Sequence, residues 1–147
     1  MEEGMIRLAT ALDKEDMIGF TRSFVNDIRK GREVVNSELL PWLDELDTGW
    51  SGVLCLGMGG SAAGGDFLSI LCDESGAVPV RCHRGYDLPN WWTPDWLILA
   101  TSYSGNTEET LEACRQAMDS DATIVVISSG GELAGMCELS DKAHLIS

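Results

Sequence analysis

The chain has 147 residues, 44% of them hydrophobic, with 10 Lys and Arg against 24 Asp and Glu and a formal net charge of −14. That length suits one compact domain with a buried core and is short for a two-lobed enzyme. The acidity argues against duplex nucleic acid as a partner, because a DNA-binding face neutralises phosphates with basic side chains.

From Asp16 to Leu46 the pattern is helical, with Met17, Phe20, Phe24, Val25 and Ile28 at spacings of three and four. A second helical stretch is expected around Val34, Leu39, Leu40 and Leu43. Residues 1–50 are thus read as N-terminal helices covering one face of a sheet built by residues 51–147, in one compact unit overall. Thereafter apolar runs at Val53–Leu56, Val78–Cys82, Trp96–Thr101, Thr123–Ser128 and Ala143–Ile146 alternate with helix-competent segments near Ala62–Cys72, Glu108–Met118 and Glu132–Leu139. This βαβ alternation predicts an α/β fold, a five-stranded parallel sheet with helices on both faces. Residues 87–95 interrupt it: Pro89 and Pro94 leave little room for a helix, so a surface crossing loop is expected there.

Cys55, Cys72, Cys82, Cys114 and Cys137 are scattered, without a CxxC pair, and read as small buried hydrophobes in a reducing cytoplasm. His83 beside Cys82 is the one ligand-like neighbour pair, and alone it is weak evidence for metal, so no metal and no cofactor are expected. No apolar stretch reaches the ~20 residues of a membrane span, and the N-terminus lacks the basic and apolar regions of a signal peptide. The expected location is the cytoplasm, with no membrane partner.

Two loops carry the chemistry. Gly57-Met58-Gly59-Gly60-Ser61 follows the first apolar run, and Ser102-Tyr103-Ser104-Gly105-Asn106-Thr107 follows the third. Both are expected at the carboxyl ends of strands, where open α/β sheets bind ligands, and each opens a helix whose N-terminal amides favour an anion. Gly57, Gly59 and Ala62 fit the GxGxxG/A dinucleotide pattern, but the second strand ends Cys82-His83-Arg84 without the acidic residue that would hold a ribose hydroxyl. A dinucleotide fold also has no use for the second hydroxyl-rich loop. A P-loop is disfavoured because no GK[ST] step occurs. Glycine turns and helix capping by Ser61, Ser104 or Asn106 would explain one or two of these residues. They do not explain Ser102, Ser104, Thr107 and Thr110 together. The expectation is therefore that hydroxyls of Ser61, Ser102, Ser104 and Thr107, with the amides of Gly60 and Gly105, converge on one phosphate.

The stretches GMGGSAAGGD (57–66), RGYDLP (84–89) and SYSGNTEETL (102–111) resemble the sugar isomerase (SIS) domain. More narrowly, they resemble the N-terminal SIS domain of archaeal-type bifunctional phosphoglucose/phosphomannose isomerases, over most of Val53 to Ser147. The resemblance implies a flavodoxin-like three-layer sandwich and a hexose phosphate bound at Gly60, Ser61, Ser102, Ser104 and Thr107. It further implies aldose–ketose isomerisation between glucose 6-phosphate or mannose 6-phosphate and fructose 6-phosphate, and a homodimer. Such isomerases carry two SIS domains. Their catalytic Glu, an Arg near the phosphate and a His from the neighbouring subunit match no position here, so the chain is expected to supply the phosphate-binding half and to lack a catalytic residue. Glu108 and Glu109 are poor candidates for the base, because first-turn carboxylates already complement the helix dipole.

The alternative is a non-catalytic sugar-phosphate module, either a sensor or a dimerisation domain. A DNA-linked sensor is not supported by the N-terminal segment, where Arg22, Arg29, Lys30 and Arg32 are interrupted by Asp27 and Glu33. Trp91, Trp92 and Trp96 are candidate interface anchors, with core packing the expected fate of at least one.

Overall fold

The computed structural model describes residues 12–35, 40–46 and 49–147, and the chain divides into two compact units, 1–45 and 46–147. In the first unit, helix α1 spans Met17–Val34. Two carboxylates start it: Asp13 accepts the N–H groups of Met17 (2.6 Å) and Ile18 (2.8 Å), and the N-cap Asp16 accepts that of Gly19 (3.2 Å). Acidic groups belong there, since the first-turn amides lack intrahelical partners and carry partial positive charge. The second helical stretch expected from sequence is, where described, a 3-10 helix over Pro41–Glu45, and Leu39 lies outside the described residues.

The second unit is the sheet. Strands β1 (Gly52–Leu56), β2 (Val80–His83), β3 (Trp96–Thr101), β4 (Ile124–Ile127) and β5 (Ala143–Ile146) pair in the order β2-β1-β3-β4-β5, with every pair parallel. Helix α2 (Gly59–Ser75) joins β1 to β2, α3 (Glu108–Asp119) joins β3 to β4, and α4 (Gly131–Met136) with a 3-10 turn (Cys137–Leu139) joins β4 to β5. The alternation of side chains along each strand sorts the core into two layers. Leu54, Leu56, Ile98, Ala100, Ile124 and Val126 pack with Leu111, Cys114, Leu133 and Met136 of α3 and α4. Val53, Cys55 and Val80 face the other way, against Leu68 and Cys72 of α2. Five parallel strands with a helical layer on each face is the predicted architecture.

The limits of most elements shift by one to three residues, and two of the shifts have a clear cause or consequence. β2 begins at Val80, because Pro79 offers only its carbonyl, which accepts the Val53 N–H at 2.9 Å. α2 begins at Gly59, three residues earlier than expected, so Ser61 lies within its first turn while Met58 occupies the N-cap position.

Residues 84–95 contain turns and no helix, as the prolines required. This segment carries the chain from β2 across β1 to β3 on the α3 side, with Leu88 packed on the core and its N–H donated to Gln116 Oε1 at 3.0 Å. Trp92 and Trp96 pack against the same core cluster, and Trp91 meets Trp96 edge-on with ring centroids 5.0 Å apart.

Candidate functional site

The strand order reverses direction between β1 and β3, which are adjacent although β2 lies between them in sequence. At such a switch point the loops leaving two neighbouring strands diverge to opposite faces and leave a crevice at their carboxyl ends. Both glycine- and hydroxyl-rich loops begin there. The first loop also closes on the end of β3: a Cβ at Gly57 would lie 3.1 Å from the Thr101 carbonyl, tighter than ordinary van der Waals contact, so a side chain there would press the turn away from β3.

The hydroxyls of the second loop divide into an inner and an outer set. Ser102 is 1% exposed, and its Oγ lies 2.9 Å from Thr107 Oγ1 while accepting the Gly105 N–H at 3.2 Å. Its role is to hold the loop closed. Ser104 is exposed, and its Oγ accepts the Asn106 N–H at 3.3 Å. Thr107 occupies the N-cap position of α3 but makes no capping bond with its side chain. The N-terminal amides of α3 are therefore without a side-chain cap, and an anion is well suited to satisfy them. The Gly105 amide, expected from sequence to face the phosphate, donates instead within the loop to the oxygens of Ser102.

Ser61 lines a cavity of about 290 Å³ together with Thr101, Tyr103, Ile127, Ser128, Ser129, Ile146 and Ser147, at the carboxyl ends of β3, β4 and β5. The structure thus joins Ser102 to Thr107 and places Ser61 beside the start of the second loop. A larger polar cavity, about 440 Å³, lies against Tyr86, Asn106, Glu108, Leu111, Glu112, Arg115 and Glu132. Its one guanidinium, Arg115, is held by Glu112 at 3.3 Å and by Glu132. Three carboxylates around one neutralised cation repel a phosphate, whereas the smaller cavity has no Asp or Glu in its lining; that lining is mostly apolar, and of the expected phosphate ligands it includes Ser61 but neither Ser104 nor Thr107.

The RGYDLP segment is tied into the same edge. Arg84 forms an ion pair with Asp66 of α2 at 2.5 Å. Gln116 Nε2 donates to the Tyr86 carbonyl and to Asp87 Oδ1 at 3.4 and 3.3 Å. Tyr86 donates its hydroxyl to Glu108 Oε2 at 3.4 Å, and the charges of Glu109 first, then partial burial and Glu108, raise its phenol above the usual value. Glu108 is therefore turned towards Tyr86.

Cys82 belongs to the layer packed on α2. Adjacent strand residues point to opposite faces, so Cys82 and His83 cannot share a metal ion. Among the described residues no group of three His, Cys, Asp or Glu is placed to hold one, and no helix is long and apolar enough to cross a membrane.

Sequence reasoning missed the Ser128-Ser129-Gly130-Gly131 run. It follows β4 as the other loops follow β1 and β3, and its composition was the available signal. Ser128 and Ser129 line the cavity with Ser61, and the run packs on the second loop. Gln116 gave no such signal, since one glutamine in an amphipathic helix looks like any other.

No family model matches the chain. A bifunctional phosphoglucose/phosphomannose isomerase of Caldicellulosiruptor bescii is 42% identical over 86 residues, which are 58% of this chain and 25% of the relative. The chain thus spans about a quarter of the length of the curated relatives it matches. Among solved structures, the tagatose-6-phosphate ketose/aldose isomerase of Escherichia coli superposes with a TM-score of 0.57 at 24% identity, covering 84% of this chain and 35% of that one. The phosphoheptose isomerase of Neisseria gonorrhoeae gives a TM-score of 0.54 at 18% identity, covering 91% of this chain and 84% of that one. The chain has the fold of the SIS phosphosugar isomerases, and over the matched residues it is homologous to the bifunctional phosphoglucose/phosphomannose isomerases.

Proposed function

We propose that this chain anchors the phosphate of a hexose phosphate in the crevice between the loops after β1 and β3, as the phosphate-binding part of a phosphoglucose/phosphomannose isomerase. The observation that carries the reading is the meeting of two hydroxyl-rich loops, each opening a helix, at the β1/β3 switch point. The amide of Gly60 and the hydroxyls of Ser61, Ser104 and Thr107 are the proposed direct ligands, with Ser102 holding Thr107 in place. In a chain of net charge −14 the positive potential for the anion comes from the N-terminal amides of α2 and α3. Homology to the isomerases over 86 residues supports the substrate class.

Isomerisation of an aldose phosphate to a ketose phosphate moves a proton between C1 and C2 through a cis-enediol, and it needs a base at those carbons and an acid or base for ring opening. The part played by this chain is the remote anchor. Binding energy gained at the phosphate orients the reacting carbons, so the anchor contributes to rate as well as to affinity. We further place the enzyme in the cytoplasm, where the five free cysteines would stay reduced, and read it as a homodimer.

Calorimetric titration of this chain with fructose 6-phosphate, glucose 6-phosphate and inorganic phosphate tests the reading. Saturable binding of both hexose phosphates, competed by phosphate, is expected. A chain that binds none of the three would overturn it.

A further inference from the structure

The loop after β3 is assembled on the loop after β4. Ser129 donates its N–H (3.2 Å) and its hydroxyl (2.5 Å) to the Tyr103 carbonyl. Leu133 donates its N–H to the Gly105 carbonyl at 2.9 Å, and Glu132 donates its N–H to Asn106 Oδ1 at 3.0 Å. Two glycines in left-handed conformation interlock where the loops cross, Gly105 at φ +68° and Gly131 at φ +71°. A methyl group at Gly105 would overlap the Gly130 carbonyl, and one at Gly131 would overlap the Ser104 carbonyl, so backbone packs on backbone without room for a side chain.

The polarity of this interlock is one-sided. Three oxygens of the second loop, the carbonyls of Tyr103 and Gly105 and the side-chain oxygen of Asn106, all accept from residues 129–133. Oxygens left pointing into an anion site would repel its ligand. Paired with Ser129, Glu132 and Leu133, these oxygens are satisfied within the protein, while the exposed Ser104 hydroxyl makes one long contact, to the Asn106 N–H at 3.3 Å.

We propose that Asn106 and Gly131 are positioning residues for the phosphate site, fixing the 102–107 loop through its contacts with residues 129–133 without touching the ligand; this rests on the phosphate reading above. Asn106 carries the proposal furthest. Its side chain is exposed rather than part of the core, and it caps α4 across 26 positions of sequence instead of capping α3, the helix it precedes.

The test uses Asn106→Ala, Asn106→Asp and Gly131→Ala in this chain, with hydrogen exchange over residues 102–107, thermal unfolding, and titration with fructose 6-phosphate. Asn106→Ala is expected to speed exchange in the loop and to weaken binding by roughly tenfold, while Tm falls by only a few degrees for the one internal hydrogen bond lost. Asn106→Asp keeps the acceptor oxygen and should restore slow exchange. Gly131→Ala should loosen the loop more than Asn106→Ala does, and should Gly131→Ala fail to fold, the two Asn106 variants decide. Unchanged exchange over 102–107 in Asn106→Ala overturns the proposal, as does a variant that unfolds earlier yet binds like wild type. If the wild-type chain binds no fructose 6-phosphate, the phosphate reading falls, and the exchange data alone judge the positioning role.

Discussion

Ser102 and Ser104 sit two residues apart in one loop, yet one is buried and the other exposed, and replacing each with alanine should separate stability from binding. Ser102 is 1% exposed and its hydroxyl meets Thr107 Oγ1 at 2.9 Å and the Gly105 N–H at 3.2 Å. In Ser102→Ala the Gly105 amide keeps its second acceptor, the Ser102 carbonyl at 3.1 Å, so the orphaned group is the half-buried Thr107 hydroxyl. With ~0.5 to 1.5 kcal/mol for each net hydrogen bond, the loss comes to about 1 to 2 kcal/mol, since one of the two bonds is partly replaced. For a chain of this size that lowers Tm by roughly 2 to 8 °C. Ser104 is exposed and makes one long contact, 3.3 Å from the Asn106 nitrogen, so Ser104→Ala should leave stability within about 0.5 kcal/mol. If Ser104 binds the phosphate directly, fructose 6-phosphate affinity should fall by about 1 to 3 kcal/mol, roughly 5- to 150-fold. Thermal unfolding by circular dichroism and calorimetric titration read the two quantities. The division of labour is refuted if Ser104→Ala unfolds as early as Ser102→Ala while its affinity stays at the wild-type value.

Burial pushes the thiols of Cys55 and Cys114 up to about 12, from an ordinary 9.0. The reactive thiolate at pH 8 is then about a thousandfold scarcer, so both should resist iodoacetamide in the native protein and label once it is denatured; rapid native labelling at either, seen by peptide mass spectrometry, would contradict their placement. Because a raised acid pKa favours the folded state only while the group stays protonated, the stability these thiols contribute should be intact below pH 9 and drain away as pH rises from 9 towards 12, which unfolding at a series of alkaline pH values checks. Leu133 is fully buried among core side chains, and Leu133→Ala should cost about 2 to 5 kcal/mol in chemical denaturation, a neutral result there speaking against the packing of α4. The 147-residue chain by itself should bind fructose 6-phosphate without converting it, and a coupled assay showing kcat in the ordinary range of about 1 to 10³ per second would return Glu108 and Glu109 to consideration as bases.

The five strands were readable because buried parallel strands are continuous apolar runs, and Trp96–Thr101 and Ala143–Ile146 fell at their expected limits. Helix starts were less so. A glycine-rich loop has no side chains to mark where it becomes helix, which is why α2 begins before Ser61. The hydroxyl residues pointed to a candidate anion site by type and spacing, but their division into inner and outer groups depends on which way each side chain points. The loop that carries them is in turn bonded to residues 129–133, more than twenty positions away. A capping asparagine that serves a different helix from the one it precedes is invisible to local rules.

The position of β1 has a bearing on how the sheet is made. It is the first of the five strands to emerge during synthesis and ends in the interior of the sheet, with β2 on one flank and β3, β4 and β5 added in turn on the other. Every later strand thus finds its neighbour already built, and the widest gap to be closed is the one from β1 to β3, spanned by α2, β2 and the crossing loop. Such outward growth keeps most pairings short in sequence, which speeds the search for the native arrangement. The crevice is formed in the same order: its first wall exists once α2 is present, its second once α3 starts, and the brace behind that second wall arrives only with Ser128 to Leu133, so a nascent chain halted before residue 128 would carry both loops with nothing to hold the second in shape.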